Sequence, residues 1–410
     1  MSDTPDFENV LLSDAFFTDP YPIYKRMREH APVYWSPKLS SWLVTRYADC
    51  GTVLDDHETF SAAGRVAYLL DTLPDDMLED VVPLRRHYAV GLAHSDPPAH
   101  TRLRRILRQG VNPKIARMRG GRIREIVDSL LAPLKETQEF DFIRQFAYPL
   151  PATVIAEMLG APVVDIGRFK AWADDIAALF EQGGRMGPDA ARKGLKSLRE
   201  IRAYIGDMIA RIRKEPGDDI MSMLVNAQSD EDVLSQEELI ATAVTLFVAG
   251  HETTTNLLGL SLAALLRHPD QMRKLRDNPS LIANAVDEFL RFDSVIPRAW
   301  RIATRDTAIA GTCIKKGQMV MAMLGAANRD PDAFDDPDRL NVERKNIRHV
   351  GFGRGIHVCI GAPLARLEAD IALQALLQSF PRLTLVADGI KWRRDIAIRG
   401  PKELRLSTAC

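Results

Sequence analysis

The residue whose surroundings most clearly point to chemistry is Cys359. The segment Gly351-Phe352-Gly353-Arg354-Gly355-Ile356-His357-Val358-Cys359-Ile360-Gly361 sets three glycines before the thiol and one two residues after it. Glycine permits positive φ and lets a backbone approach something flat or bulky. An amphipathic pattern over 360–380 predicts a helix beginning at this cysteine, and the N–H groups and positive dipole end there favour a thiolate over a thiol. A thiolate so placed can ligate a metal. The plainer alternative is a Gly-rich turn around a small buried thiol. A phosphate cradle does not fit, because no parallel βαβ unit surrounds these glycines.

A second group lies in Ala249-Gly250-His251-Glu252-Thr253-Thr254, which puts an acid and hydroxyls into an otherwise apolar stretch. Such residues cost helix stability or desolvation, so their presence suggests use. Ala249 and Gly250 leave room for a small ligand, Thr253 can hydrogen-bond it and Glu252 can relay protons. A Thr-rich kink with Glu252 paired to an arginine is the structural alternative, and His251 reads as a passenger.

Two further sets concern charge. Glu288 and Arg291 are spaced to share one helix face, a pattern that alone signifies little. In Asp96-Pro97-Pro98-Ala99-His100-Thr101-Arg102-Leu103-Arg104, His100 and Arg104 also share a face.

The elements that must position these residues are mostly helical. Ser235, with Glu238 three residues on, forms a capping box, and the apolar pattern then runs to His268 before Pro269. A helix of that length, apolar on nearly every face, belongs in a protein core; its polar interruption leaves too short a run to span lipid. A helix over 21–30 and a strand pair around Pro37-Lys38 are predicted near the start, whereas residues 60–95 keep no period. Thr307–Ala310 and Gln318–Ala322 are predicted to pair as a hairpin through Lys316-Gly317. With 410 residues, 46% of them hydrophobic, and no linker or repeat, a single domain over 1–410 is expected. A net charge of -1 excludes a global basic field for nucleic acid or membrane. The polar start lacks a secretory signal, and a cytoplasmic monomer is expected. The four cysteines, Cys50, Cys313, Cys359 and Cys410, form no C-x-x-C pair.

The thiol loop resembles the cytochrome P-450 signature F-G-x-G-x-H-x-C-x-G in full. The 249–254 segment resembles the family's [AG]-G-x-[DE]-T-[TS], and Glu288-Phe289-Leu290-Arg291 its E-x-x-R. Ala327-Asn328-Arg329-Asp330-Pro331 and Asp336-Pro337-Asp338 match the intervening stretch, so the resemblance covers the chain from about Asp19 onward. It implies a mainly α cytochrome P-450 fold, with a long central helix over the haem and a minor antiparallel β component. It also implies haem b with Cys359 as axial ligand, Phe352 flanking the sulfur and Gly361 close behind. His100, Arg104, Arg301 and His357 become propionate partners, Ala249 lines the oxygen site, Glu252 and Thr253 are catalytic, and Glu288 and Arg291 are structural.

The activity so implied is monooxygenation: one atom of O2 enters a small hydrophobic substrate, giving hydroxylation or oxidative dealkylation. Electrons would come from a separate ferredoxin and its reductase. Arg102, Arg105, Arg108, Arg344, Lys345, Arg348, Arg354 and Arg366 are expected to cluster on the thiolate side as an acidic ferredoxin's dock; a solvated basic face is the alternative. By position in the family the substrate pocket draws on Tyr68, Leu69, Val90, Leu92, Phe180, Thr245, Val248, Ala249, Val295, Ile296 and Ile398. This mainly apolar lining suits a hydrophobic molecule, although Arg65, Arg85, Arg86, Arg298 or Arg399 could anchor a carboxylate. A peroxide-driven peroxygenase and a non-catalytic haem-thiolate sensor or carrier are the other readings; the intact Glu252–Thr253 pair speaks against both.

Overall fold

The computed structural model describes residues 6–180, 186–226 and 233–408; Cys410 lies outside them. The central helix spans Gln236–Arg267, with Ser235 capping it and the reciprocal Glu238 bond present. It packs against the helices Pro149–Met158, Pro188–Ile212, Ile282–Phe292 and Ala362–Ser379. Most of its side chains are buried, as its all-round apolar pattern requires. The stretch over 60–95 forms short helices, Arg65–Leu70 and Val82–Ala89, separated by turns.

The strands are few. A five-stranded sheet has the order β1-β2-β8-β5-β3, with β1 Val33–Ser36, β2 Ser41–Val44, β3 Phe60–Ser61, β5 Ala299–Ala303 and β8 Met319–Ala322. In a second sheet β4 Glu139–Asp141 and β9 Thr384–Trp392 flank β10 Pro401–Ser407. The pair β6 Thr307–Ile309 and β7 Thr312–Ile314 stands apart.

Two expectations are corrected here. The residues Thr307–Ile309 pair with Thr312–Ile314 and not with Met319–Ala322. The turn uses Ala310 and Gly311, both at positive φ (47° and 81°), as a two-residue hairpin of this hand requires. Its Ala-Gly sequence is a weak signal for such a turn. β8 instead joins the large sheet, antiparallel to β5 but parallel to β2, so the β component is not wholly antiparallel. One large apolar core surrounds the central helix, and a smaller one lies under the five-stranded sheet.

Candidate functional site

Two glycines shape the Cys359 loop. Gly353 and Gly355 stand at φ 73° and 69°, a region disfavoured for residues with a Cβ. At Gly355 a Cβ would also lie 2.5 Å from the Leu54 carbonyl oxygen. The loop closes when the Cys359 N–H donates to the Phe352 carbonyl at 2.8 Å, and Arg104 Nη2 donates to the Val358 carbonyl at 2.6 Å. The helix following the thiol begins at Ala362, and Cys359 itself is exposed.

Two opposing effects act on the thiol. Although Cys359 is open on one side, the protein packed around its sulfur pushes it upward, against the backbone N–H groups of Gly361 and Ala362 and the charges of Arg104 and Arg366. Desolvation therefore outweighs the helix terminus in the protein alone; a coordinating metal cation reverses that balance by deprotonating the sulfur.

The loop hangs from a frame built by Glu288 and Arg291, both fully buried. Arg291 Nε and Nη2 donate to Glu288 Oε2 and Oε1 at 2.7 and 2.8 Å. Its remaining N–H groups reach the carbonyls of Asn328, Pro337 and Arg339. Glu288 also accepts from Arg344 Nε and the Asn341 N–H. The chain from 328 to 344 is thereby fixed, and Asn328 Oδ1 accepts the Val350 N–H one residue before the loop. Arg366 lies 4.6 Å over the Phe352 ring while binding Asp287.

His100, Arg104, Arg301 and His357 converge. The imidazoles of His100 and His357 are 4.3 Å apart, and each has a buried Nε2 with no protein partner. Arg301 is buried on β5, its Nη1 donating to the Trp300 carbonyl. Burial holds Arg301 down to about 10; burial, with the nearby charges of Arg301 and Arg104, holds His357 down to about 3; burial also lowers His100 and Arg104. Unmatched imidazole nitrogens beside two guanidinium groups call for a hydrogen-bonding anion among them.

On the central helix Ala249 is exposed, with Val248, Gly250 and Thr253 beside it partly so. Thr253 Oγ1 donates to the Ala249 carbonyl at 2.8 Å, and Thr255 and Asn256 likewise bond back one turn. Gly250 does not contribute to the open space, since a Cβ there would meet Ile155 at 2.9 Å; it serves helix packing, correcting the role expected for it. His251 is buried, its Nδ1 2.7 Å from the Phe247 carbonyl, and burial lowers it to about 4. Glu252 is 3% exposed and burial raises it to about 7. Its Oε1 accepts from Arg393 Nη1 at 2.8 Å, whereas Oε2 has no partner.

Of the predicted pocket residues, Tyr68, Val90, Leu92, Phe180, Thr245, Val248, Ile296 and Ile398 are partly exposed, and Phe180 packs edge-on against Tyr88. Leu69 and Val295 are sealed in the core, which removes them from any lining. Arg399 is committed to Asp293 and the Phe17 carbonyl, and Arg85 to Asp71. Arg65 meets His94, Arg86 is exposed and Arg298 is buried without a hydrogen bond. The basic cluster is smaller than expected. Arg344 is drawn into the Glu288 frame, and Arg102 pairs with Glu238 at the start of the central helix. Arg105, Arg108, Lys345, Arg348 and Arg354 are exposed, Arg354 pairing with Asp55.

Sequence reasoning missed Arg393, Asp395 and the Arg104–Val358 bond. The run Trp392-Arg393-Arg394-Asp395 carried the signal of clustered charge, but nothing in it pointed to Glu252, 141 residues away.

An apolar central helix carrying an acid and hydroxyls at its middle, together with a cysteine loop framed by buried charge, has the makings of an oxygen-activating haem-thiolate class of enzyme. Known proteins agree. The family profile "Cytochrome P450" matches residues 185–392. The chain is similar to 6-deoxyerythronolide B hydroxylase of Saccharopolyspora erythraea, 37% identical over 414 residues and 98% of each chain. It is similar to vitamin D(3) 25-hydroxylase of Pseudonocardia autotrophica, 38% identical over 403 residues, 96% of this chain and 94% of the relative. Among solved structures, P450BioI in complex with hexadec-9Z-enoic acid ligated acyl carrier protein has a TM-score of 0.88 at 33% identity. That match covers 96% of this chain and 98% of the other. The chain belongs to the cytochrome P450 family and is a P450 monooxygenase. Membership implies a haem-thiolate cofactor. The unpartnered Nε2 atoms of His100 and His357, beside the buried Arg301 and the partly exposed Arg104, fit the carboxylates of that group.

Proposed function

We propose that the chain, as one domain over 1–410, inserts one oxygen atom of O2 into a small hydrophobic organic substrate, and that Cys359 would hold the iron of a b-type haem through its thiolate. The observation that carries the assignment of the site is the convergence of His100, Arg104, Arg301 and His357, with two buried imidazole Nε2 atoms left without a protein partner, beside a glycine-shaped loop that presents one thiol. Those four groups would hold the two propionates, and Phe352, steadied by Arg366, would shield the sulfur together with Gly361. When bound, the haem supplies oxygen activation, with thiolate donation favouring O–O cleavage.

The chain's own residues orient, exclude and relay. Ala249 leaves space on the helix face, Thr253 can donate to a ligand there by releasing the Ala249 carbonyl, and Glu252 holds or releases a proton near neutral pH. Tyr68, Val90, Leu92, Phe180, Thr245, Val248, Ile296 and Ile398 would contact a mainly apolar substrate. A separate ferredoxin, served by its reductase, would dock against Arg105, Arg108, Lys345, Arg348, Arg354 and Arg366. Among the described residues no helix is long and apolar enough to cross a membrane.

The test is the carbon monoxide difference spectrum of the dithionite-reduced, haem-loaded protein. The red-shifted Soret band of thiolate ligation is expected, and its loss in Cys359→Ala. An imidazole-type band in folded wild-type protein overturns the assignment.

A further inference from the structure

Buried polar atoms without a protein partner are unevenly spread through the molecule. Among the described residues there are twelve such side-chain atoms, and six belong to four residues around the loop 392–400: Glu252 Oε2, Asn256 Oδ1, Arg393 Nε, and Nε, Nη1 and Nη2 of Arg298. Asp395 links the group. It is 6% exposed, and its charge bears on Arg298, Arg393 and Glu252. One of its oxygens accepts the Ala397 N–H at 2.6 Å. Asn256, one turn beyond Glu252, bonds to the Glu252 carbonyl, and its Oδ1 abuts Gly400, where a Cβ would lie only 1.9 Å away. The backbone bond from Arg393 N–H to the Gly400 carbonyl closes the loop.

The group has an inner and an outer end. The side chain of Glu252 is 4% exposed and that of Arg393 23%. Arg394 beside it is at the surface, paired with Asp14. Buried donors and acceptors that the protein leaves unmatched are met by ordered water, each molecule needing two to four polar partners. The unmatched donors of Arg298 and Arg393 and acceptors of Glu252 and Asn256 supply such partners.

We propose that the loop 392–400 carries a hydrated proton path to Glu252, with Asp395 as the intermediate acid and Arg393 as the residue that positions the Glu252 carboxylate. This rests on the relay role given to Glu252 above. The reaction demands such a path. R–H + O2 + 2 electrons + 2 protons gives R–OH + H2O: the O–O bond breaks, one oxygen enters the C–H bond, and the other leaves as water with both protons. The electrons come from the ferredoxin; the protons must reach the middle of a buried helix. Besides Arg393 and Asp395, the charged groups facing Glu252 are Lys170 and Asp174 on the helix Ile166–Ala177. These two are exposed and paired with each other at 2.5 Å, and neither hydrogen-bonds Glu252. Burial raises Asp395 as well as Glu252, so neither acid is locked in its ionised form.

The test uses the haem-loaded enzyme and infrared spectroscopy of the protonated Glu252 carboxyl, its band assigned by its loss in Glu252→Gln. After transfer to heavy water, exchange at that carboxyl is expected to slow about tenfold or more in Asp395→Leu and Arg393→Gln. It should recover in Arg393→Lys and be unchanged in Lys170→Gln. The intact carbon monoxide spectrum certifies each variant, and Asp395→Asn replaces Asp395→Leu if the latter does not fold. Wild-type exchange in the Asp395 and Arg393 variants, or slowed exchange in Lys170→Gln, overturns the path. The relay role is read separately: if Glu252→Gln leaves the pH profile of ferredoxin-driven oxygen consumption unchanged, Glu252 is no relay and the path loses its function.

Discussion

Two buried clusters of charge in this protein stand in opposite condition. Around Glu288 and Arg291 each guanidinium nitrogen has a partner, and the carboxylate is shared with Arg344 and the Asn341 N–H. Around Arg298, Asp395, Arg393 and Glu252 one ion pair is made, and six polar atoms of the group are left over. A completed network fixes geometry, because changing any member strands another. An incomplete one leaves its acids free to change protonation: burial holds Glu252 at about 7. The first suits a frame for the cysteine loop, the second a place where protons move.

The sharpest way to break this contrast is Arg291→Ala. It removes the bidentate partner of a fully buried carboxylate, leaving it only Arg344 and the Asn341 N–H, and should cost about 3–5 kcal/mol, with haem loading lost because the 328–344 segment loses its anchor. Urea unfolding and the carbon monoxide spectrum measure both, and a stable, fully loaded variant would sink the framing role. Next comes Glu368, another buried carboxyl with an unpartnered oxygen, held up to about 8 by burial alone. Between pH 4.5 and about 8 the native state keeps a proton that the unfolded chain has lost, so stability falls as pH rises. Glu368→Gln should flatten that slope and be more stable at pH 8 by about 3 kcal/mol; parallel stability profiles would refute the burial account. The smallest effect is expected at Arg298. Replacing an arginine that makes no hydrogen bond with Met should be neutral or stabilise by about 1 kcal/mol. A loss comparable to that of Arg291→Ala in thermal unfolding would erase the distinction between the two clusters.

Much of this was readable in the sequence where the cause is local. The capping box at Ser235, the strand pair β1–β2 and the i, i+3 spacing of Glu288 and Arg291 depend on neighbours within a few residues, and each stands as expected. What the sequence left open depends on distant chain. Arg344 reads as a surface cation until the fold brings it to Glu288, and Gly250 reads as an opening until Ile155 fills the space beside it. Cys359 shows the same division: the helix terminus beside it can be read from sequence, whereas the packing around the sulfur that opposes it cannot.

The parallel pairing of β2 with β8 bears on how the chain is made. The hairpin of β1 and β2 is complete at Val44, yet the strand that covers its inner edge, Met319–Ala322, is translated only after three quarters of the chain. During synthesis Trp42 and Leu43 therefore emerge with an unmatched backbone edge, the kind of surface that invites pairing with a neighbouring nascent chain. The five-stranded sheet is a late assembly, and expression yield should depend on how well that edge is shielded until the C-terminal third arrives.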